Sequence, residues 1–315
     1  MRIFVAGASG VIGRELVPRL VERGHAVTGM TRTPGKEKLL RNLGAEPVVG
    51  DALVAESVAA AVAASGAEVV VHQSTSLATG VNPKRLDRSF EVTNRLRSEG
   101  TDNLLAAAKS VGARKFVAQS IAGWPCERTG APVKNEEDPL DPSPPAAAAR
   151  THAAIRHLEE ATAGAAGIEG IVLRYGFFYG PGTSLGLGPE GEQLDLIRSR
   201  RFPLVGSGEG VWSFVHVADA AAATVAAIEG GEPGIYNIVD DDPAAVSEWL
   251  PVVAAAIGAK PPMKVPQFVG RLAAGEFGVM MMTDMRGASN RKARDLLSWT
   301  PAYPSWRLGF KDGLR

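Results

Sequence analysis

The chain has 315 residues, and its 34 Lys+Arg balance 34 Asp+Glu to a formal net charge of zero. Zero charge excludes a polybasic surface as the main route to a nucleic acid or an anionic membrane, and a single cysteine, Cys126, excludes an intrachain disulfide or a thiolate zinc cluster. The length predicts about two domains' worth of chain and 45% apolar residues suit a soluble globular protein. No run approaches the roughly 20 apolar residues of a membrane span, and Met1-Arg2-Ile3-Phe4-Val5 lacks the apolar core of a signal peptide, so a cytoplasmic protein is expected. Residues 2–6 then read as a short strand, Gly7-Ala8-Ser9-Gly10-Val11-Ile12-Gly13 as a tight glycine turn, and Ile12, Leu16, Val17, Leu20 and Val21 as a helix face. Gly24 is placed to cap that helix, and Ala26-Val27-Thr28-Gly29-Met30 forms the next strand.

This strand–turn–helix–strand unit predicts dinucleotide binding. Gly7 permits the turn off the strand, Gly10 lets the backbone approach a pyrophosphate, and Gly13 lets the helix pack close to the sheet. Residues Ser9, Val11 and Ile12 complete the loop whose N–H groups face the phosphates. The second strand ends Met30-Thr31-Arg32-Thr33, with no acidic residue to accept the ribose 2′-hydroxyl. Arg32 would meet a 2′-phosphate there, so NADP is expected over NAD.

The G-x-x-G-x-x-G spacing resembles the short-chain dehydrogenase/reductase superfamily. Further segments resemble its extended branch, the NAD(P)-dependent epimerases and dehydratases, in order: Gly100-Thr101-Asp102-Asn103-Leu104, Lys115 to Ser120, Ile171 to Gly182, Trp212 to Ala220, and Lys292 to Pro301. The resemblance implies an α/β fold, a Rossmann-type doubly wound parallel sheet with a smaller C-terminal substrate-binding lobe. It places the NADP-binding domain at 1–175, rejoined by about 211–240, and the lobe at 176–210 and 241–315. It also implies that Asp51, beside Ala52, lies under the adenine, a role compatible with a helix cap, and that Gln73 and Ser74 pass beside the phosphates and ribose. His72 is expected to be a packed structural histidine, since no ligand-spaced His, Asp or Glu supports a metal.

In that family a Ser and a Tyr grip the reacting oxygen, and a Lys lowers the tyrosine pKa. Ser120 matches the serine position and is expected to donate to a substrate oxygen. The Tyr-x-x-x-Lys pair is missing from Ala149 to Glu160. Matching Glu159 to the glutamate one turn after the lysine puts Thr151 and Ile155 in the paired positions, whereas matching Glu160 puts His152 and Arg156 there. The apolar spacing fits the first register better; the second supplies an imidazole donor. Tyr175, at a strand end, is a further donor candidate against a core role.

The stretch 124–139 reads as a lid or a surface excursion, the glycine-rich 180–191 as a mobile connection, and Cys126 as an incidental thiol. Phe177, Phe178, Trp212, Phe268, Phe277 and Val279-Met280-Met281-Met282 suggest apolar walls, while Arg198, Arg200 and Arg201 keep a diphosphate possible. The expected activity is an NADP-dependent oxidoreductase on a small, fairly apolar carbonyl or alcohol, with no nucleic-acid or membrane partner and a homodimer as the default assembly. The alternatives are redox-neutral epimerisation, dehydration or cyclisation, and a non-catalytic NADP sensor.

Overall fold

The computed structural model describes residues 1–76 and 81–314. Seven strands form one parallel sheet: β1 (Arg2–Ala6), β2 (Ala26–Thr31), β3 (Glu46–Val49), β4 (Val69–His72), β5 (Lys115–Ile121), β6 (Glu169–Tyr175) and β7 (Gly234–Ile238). Their order across the sheet is β7-β6-β5-β4-β1-β2-β3, so the strand order reverses between β1 and β4. A crevice opens at the carboxyl ends of the strands at that reversal, and it is where doubly wound sheets bind nucleotides.

The apolar runs of β1, β4, β5 and β6 are buried on both faces, as parallel strands under two helical layers must be. Alternate residues take opposite sides. Val5, Val71, Val117 and Leu173 pack with Leu16 and Val17 of α1 (Val11–Glu22), while Phe4, Val70, Phe116 and Val172 pack with Val58, Leu104 and Leu158 of the other layer. That second layer holds α2 (Ala55–Ser65), α3 (Thr101–Ser110) and α4 (Ala149–Ala163). A π-helical turn, Leu96–Gly100, leads directly into α3.

Strand β6 ends at Tyr175, the strand end read from the sequence, and the chain turns at Gly176. A side chain there would stand 2.6 Å from the Ser213 carbonyl oxygen, and the chain leaves β7 to pair Phe177–Tyr179 with Phe214–His216 instead. Beyond that turn a separate core gathers Trp212, Phe214, Trp249, Trp306 and Phe310, with Phe177 stacked on Trp212 at 4.0 Å between ring centroids. Phe277 and Met280, Met281 and Met282 join this core, whereas Phe268 is 67% exposed, so it is no pocket wall.

The 124–139 stretch is strapped down. Val133–Lys134 pairs with Gly287–Ala288, Arg128 holds Asp141 at 2.9 Å, and Glu136 accepts the outward backbone N–H of Asn237 on β7 at 2.7 Å. The 180–191 stretch is also wound tightly: Gly180 and Leu185 share a backbone hydrogen bond, Thr183 Oγ1 donates to the Gly180 carbonyl, and Gly182 stands beside Val11.

Candidate functional site

The glycine turn has the expected build. Gly7 leaves β1 at φ 86°, and a Cβ there would lie 2.6 Å from the Gln73 carbonyl carbon; one on Gly13 would lie 2.3 Å from the Ala8 carbonyl oxygen. Gly10, which caps α1, differs, because its Cβ would meet only the Gly7 oxygen at 3.2 Å. Two glycines therefore serve internal packing and the third keeps a face of backbone open. No acidic side chain occupies the first turn of α1, so its N–H dipoles remain available to an anion. Ser9 Oγ bonds Thr31 Oγ1 at 3.1 Å and ties the turn to the end of β2, while Ile12 is buried against the core and Val11 is half-buried. Arg32 follows Thr31, exposed and without an ion-pair partner among the described residues. These residues fit a dinucleotide phosphate.

Asp51 Oδ1 accepts the Leu53 N–H at 3.0 Å and closes a local turn, whereas the N-cap of α2 is Val54, so Asp51 does not cap that helix. The Ala52 carbonyl accepts Asn103 Nδ2 at 2.9 Å. At the end of β4, His72 Nδ1 accepts the Ser74 N–H, which leaves the ring proton on Nε2 to donate to the Leu96 carbonyl at 3.0 Å. Burial pulls its pKa down to about 4, so it is a neutral, structural imidazole. Gln73 Nε2 donates to Tyr175 Oη at 3.0 Å, while its Oε1 is buried without a partner among the described residues.

The hydroxyls near the crevice have their protons committed inside the protein. Ser120 Oγ donates to Glu159 Oε1 at 2.6 Å, and the same carboxylate takes both prongs of Arg174, at 2.8 and 2.6 Å. Thr151 Oγ1 donates to Asp87 Oδ1 at 2.7 Å while receiving Asn94 Nδ2 at 3.0 Å. Thr224 Oγ1 gives its proton to the Ala220 carbonyl, so it accepts from Tyr175, whose oxygen accepts from Gln73. Burial raises the Tyr175 pKa to about 12, far from the neutral range that favours proton transfer.

In α4 the buried face runs Thr151, Ile155, Leu158, Glu159, the register matched on Glu159. His152 is also buried, but it turns toward the strapped segment, with Nε2 donating to the Pro125 carbonyl at 2.8 Å and its ring edge against Trp124. Arg156 is exposed, so the two make no buried pair. Ser120, His152 and Tyr175 thus each bond a different partner and do not converge. Cys126 is buried, and burial pushes its thiol up. Arg198 pairs with Asp195 at 2.6 Å on the surface.

Sequence reasoning missed the polar partners that hold this region: Asp87, Asn94, Arg97 and Arg174, and Glu159 beyond its use as a register marker. One signal was present. Glu159 falls on the apolar face of α4 between Leu158 and Thr162, where a carboxylate needs a buried partner. Arg97, in the π-helical turn, is only 5% exposed, and its Nη1 has no hydrogen-bond partner among the described residues. Burial lowers its pKa to about 10, and the Glu159 charge opposes that shift.

Residues 3–239 match the model of the NAD dependent epimerase/dehydratase family, and the chain belongs to that family. It is 42% identical over 98% of its length, and 99% of the relative's, to a 3-diazoavenalumate denitrifying reductase from a Streptomyces species. It is 28% identical over 88% of its length, and 80% of the relative's, to a 4-hydroxy-2-methyl-3-oxo-4-farnesyl-3,4-dihydroquinoline-1-oxide ketoreductase of Stigmatella aurantiaca. Among solved structures, a human epimerase family protein with NADPH superposes at a TM-score of 0.76 with 21% identity, covering 100% of this chain and 99% of that one. The Thermus thermophilus UDP-glucose 4-epimerase with NAD gives 0.74 with 24% identity, covering 100% and 98%. These likenesses confirm the Rossmann-type fold. A nicotinamide cofactor and an oxidoreductase or epimerase activity are therefore supported, and the named reductases among the relatives favour the first.

Proposed function

We propose that the protein is an NADPH-dependent reductase of a small, fairly apolar molecule, and that the reduced atom is a diazo-bearing carbon rather than a carbonyl carbon. The observation that carries this reading is the commitment of the Ser120, Thr151 and Tyr175 protons to internal acceptors. Carbonyl reduction leaves an alkoxide that must be protonated where it forms. A bound NADPH supplies a hydride, and at a diazonium carbon that hydride forms the new C–H bond while the C–N electron pair leaves with dinitrogen, with no proton required. The relative with 42% identity carries a diazo substrate and a loss of nitrogen in its name.

The chain's own part is binding and exclusion of water. Gly7, Ser9, Gly10, Val11, Ile12 and Gly13 hold the pyrophosphate, Arg32 takes the 2′-phosphate, Asp51 and Ala52 flank the adenine, and Gln73 and Ser74 line the ribose side. Support for NADP over NAD comes from Arg32 itself, an exposed guanidinium without an ion-pair partner among the described residues. Tyr175, His152 and Ser120 then act as positioning groups, Ser120 through Glu159. A carbonyl substrate is the second reading, favoured by the ketoreductase relative, and it requires one of those three to exchange its internal partner for the substrate. A buried, unoxidised Cys126 suits a cytoplasmic site of action.

The test is to mix purified protein with NADPH and either 3-diazoavenalumate or a panel of ketones, following the nicotinamide absorbance and evolved nitrogen together. One dinitrogen per NADPH oxidised is expected with the diazo compound. Oxidation of NADPH by ketones alone would overturn the diazo reading, and NADPH binding without turnover of any acceptor would overturn the reductase reading.

A further inference from the structure

Near the carboxyl ends of β4, β5 and β6, one buried carboxylate, Glu159, serves two buried arginines, Arg97 and Arg174. Arg174 and Glu159 form a bidentate pair, with 4% of each side chain exposed. Arg97 is buried as well, and its electrostatic partner is that same Glu159, which already accepts from Arg174 and Ser120. Arg174 also feels the Glu136 carboxylate, whereas Arg97 has only Glu159 as an opposing charge among the described residues, and the neutral His72 beside it adds none. The Phe90 ring, whose centroid lies 5.8 Å from the Arg97 Cζ, contributes only a weak attraction.

A buried cation without a hydrogen-bonding counterion is costly. Neither Nη1 of Arg97 nor Nη1 of Arg174 has a partner among the described residues. Arg97 also comes from a π-helical turn, an irregularity often found where a functional side chain must be aimed. It sits beside α4, whose position 155 holds an isoleucine where the family's cation stands. A planar fork of donors with a buried, unpartnered Nη1 is suited to a carboxylate.

We propose that the Arg97 guanidinium anchors a carboxylate carried by the substrate. This rests on the reading of the protein as a reductase of a small diazo-bearing molecule, whose relative's substrate is named as a carboxylate. Arg97 is then a specificity-determining group: it selects acids over their neutral esters, and it orients the molecule from the end remote from the reacting carbon.

The experiment compares wild type with Arg97→Met and Arg97→Lys, using 3-diazoavenalumate and its methyl ester for turnover, and cinnamate and methyl cinnamate as probes that bind without reacting. Arg97→Met is expected to raise KM for the acid about 30-fold, with kcat and the constants for the ester changed less than about 2-fold. Cinnamate binding should weaken in parallel, Arg97→Lys should recover part of the loss, and the NADPH dissociation constant should hold. Equal weakening of acid and ester, or a weaker grip on NADPH, would overturn the assignment, because either places the guanidinium elsewhere. If wild type turns over no diazo compound, the diazo reading fails by itself. The cinnamate pair then still decides whether Arg97 selects carboxylates. Thermal denaturation of each variant separates loss of the anchor from loss of the fold.

Discussion

The two halves of the crevice are built by different means. At the glycine turn the functional groups are backbone N–H groups, and the sequence places them through what it omits: side chains at Gly7, Gly10 and Gly13. Across the crevice, Ser120, Glu159 and Arg174 form one buried side-chain network and Thr151 bonds Asp87 in another, so the hydroxyl protons of both point inward. A backbone site tolerates drift in the surrounding side chains, since only the glycines and the helix terminus must persist. A side-chain site changes its chemistry with two substitutions. Here the buried face of α4 carries a threonine, an isoleucine and a glutamate, Thr151, Ile155 and Glu159.

Three substitutions would sharpen that contrast, in falling order of effect. Glu159→Gln removes the carboxylate that Ser120 and Arg174 share and takes away the opposing charge of Arg97. We expect a loss of about 3–5 kcal/mol in denaturant unfolding, and the double change Glu159→Gln with Arg174→Met should recover part of it, since both poles then go. If the single variant unfolds like wild type, the network is not structural. Arg32→Ala touches the other half. The NADPH dissociation constant should rise about 10- to 100-fold, or about 1.4–2.7 kcal/mol, with NADH unaffected and stability unchanged; equal losses for both cofactors would show that the arginine does not read the 2′-phosphate. Tyr175→Phe is the mildest. It deletes the hydrogen bonds to Thr224 and Gln73 and should cost about 1 kcal/mol of stability, while kcat and its pH profile stay within about 2-fold, because a phenol held near 12 does not titrate in the working range. A large fall in kcat would return Tyr175 to the chemistry.

The same contrast explains what was legible in the sequence. The glycine turn and the fold class could be read because they depend on local spacing: a strand, three glycines and a helical stripe within the first twenty-four residues. The burial of Thr151, Ile155 and Leu158 on one face of α4 followed from apolar spacing. What could not be read was the destination of each proton. Ser120 reaches Glu159 across 39 residues and Tyr175 reaches Thr224 across 49, and neither pairing has a periodicity to announce it. Arg97 was hidden for another reason. Its helix carries an extra residue in the π-helical turn, which rotates the side chain away from where regular 3.6-residue spacing would put it. The wound 180–191 segment and the strapped 124–139 segment escaped because glycine and proline content reports local permissiveness and not the distant partners that hold a loop.

One of those partners, Glu136, has a consequence for the life of the molecule outside its reaction. An open sheet ends in strands with unspent backbone donors, and β7 is such a terminus. Neighbouring copies can add to it strand upon strand, the elementary step of ordered aggregation. By occupying the Asn237 N–H with its carboxylate, Glu136 both removes a donor from that template and sets a negative group against any incoming chain. The strap is thus also a guard on the open edge of the sheet.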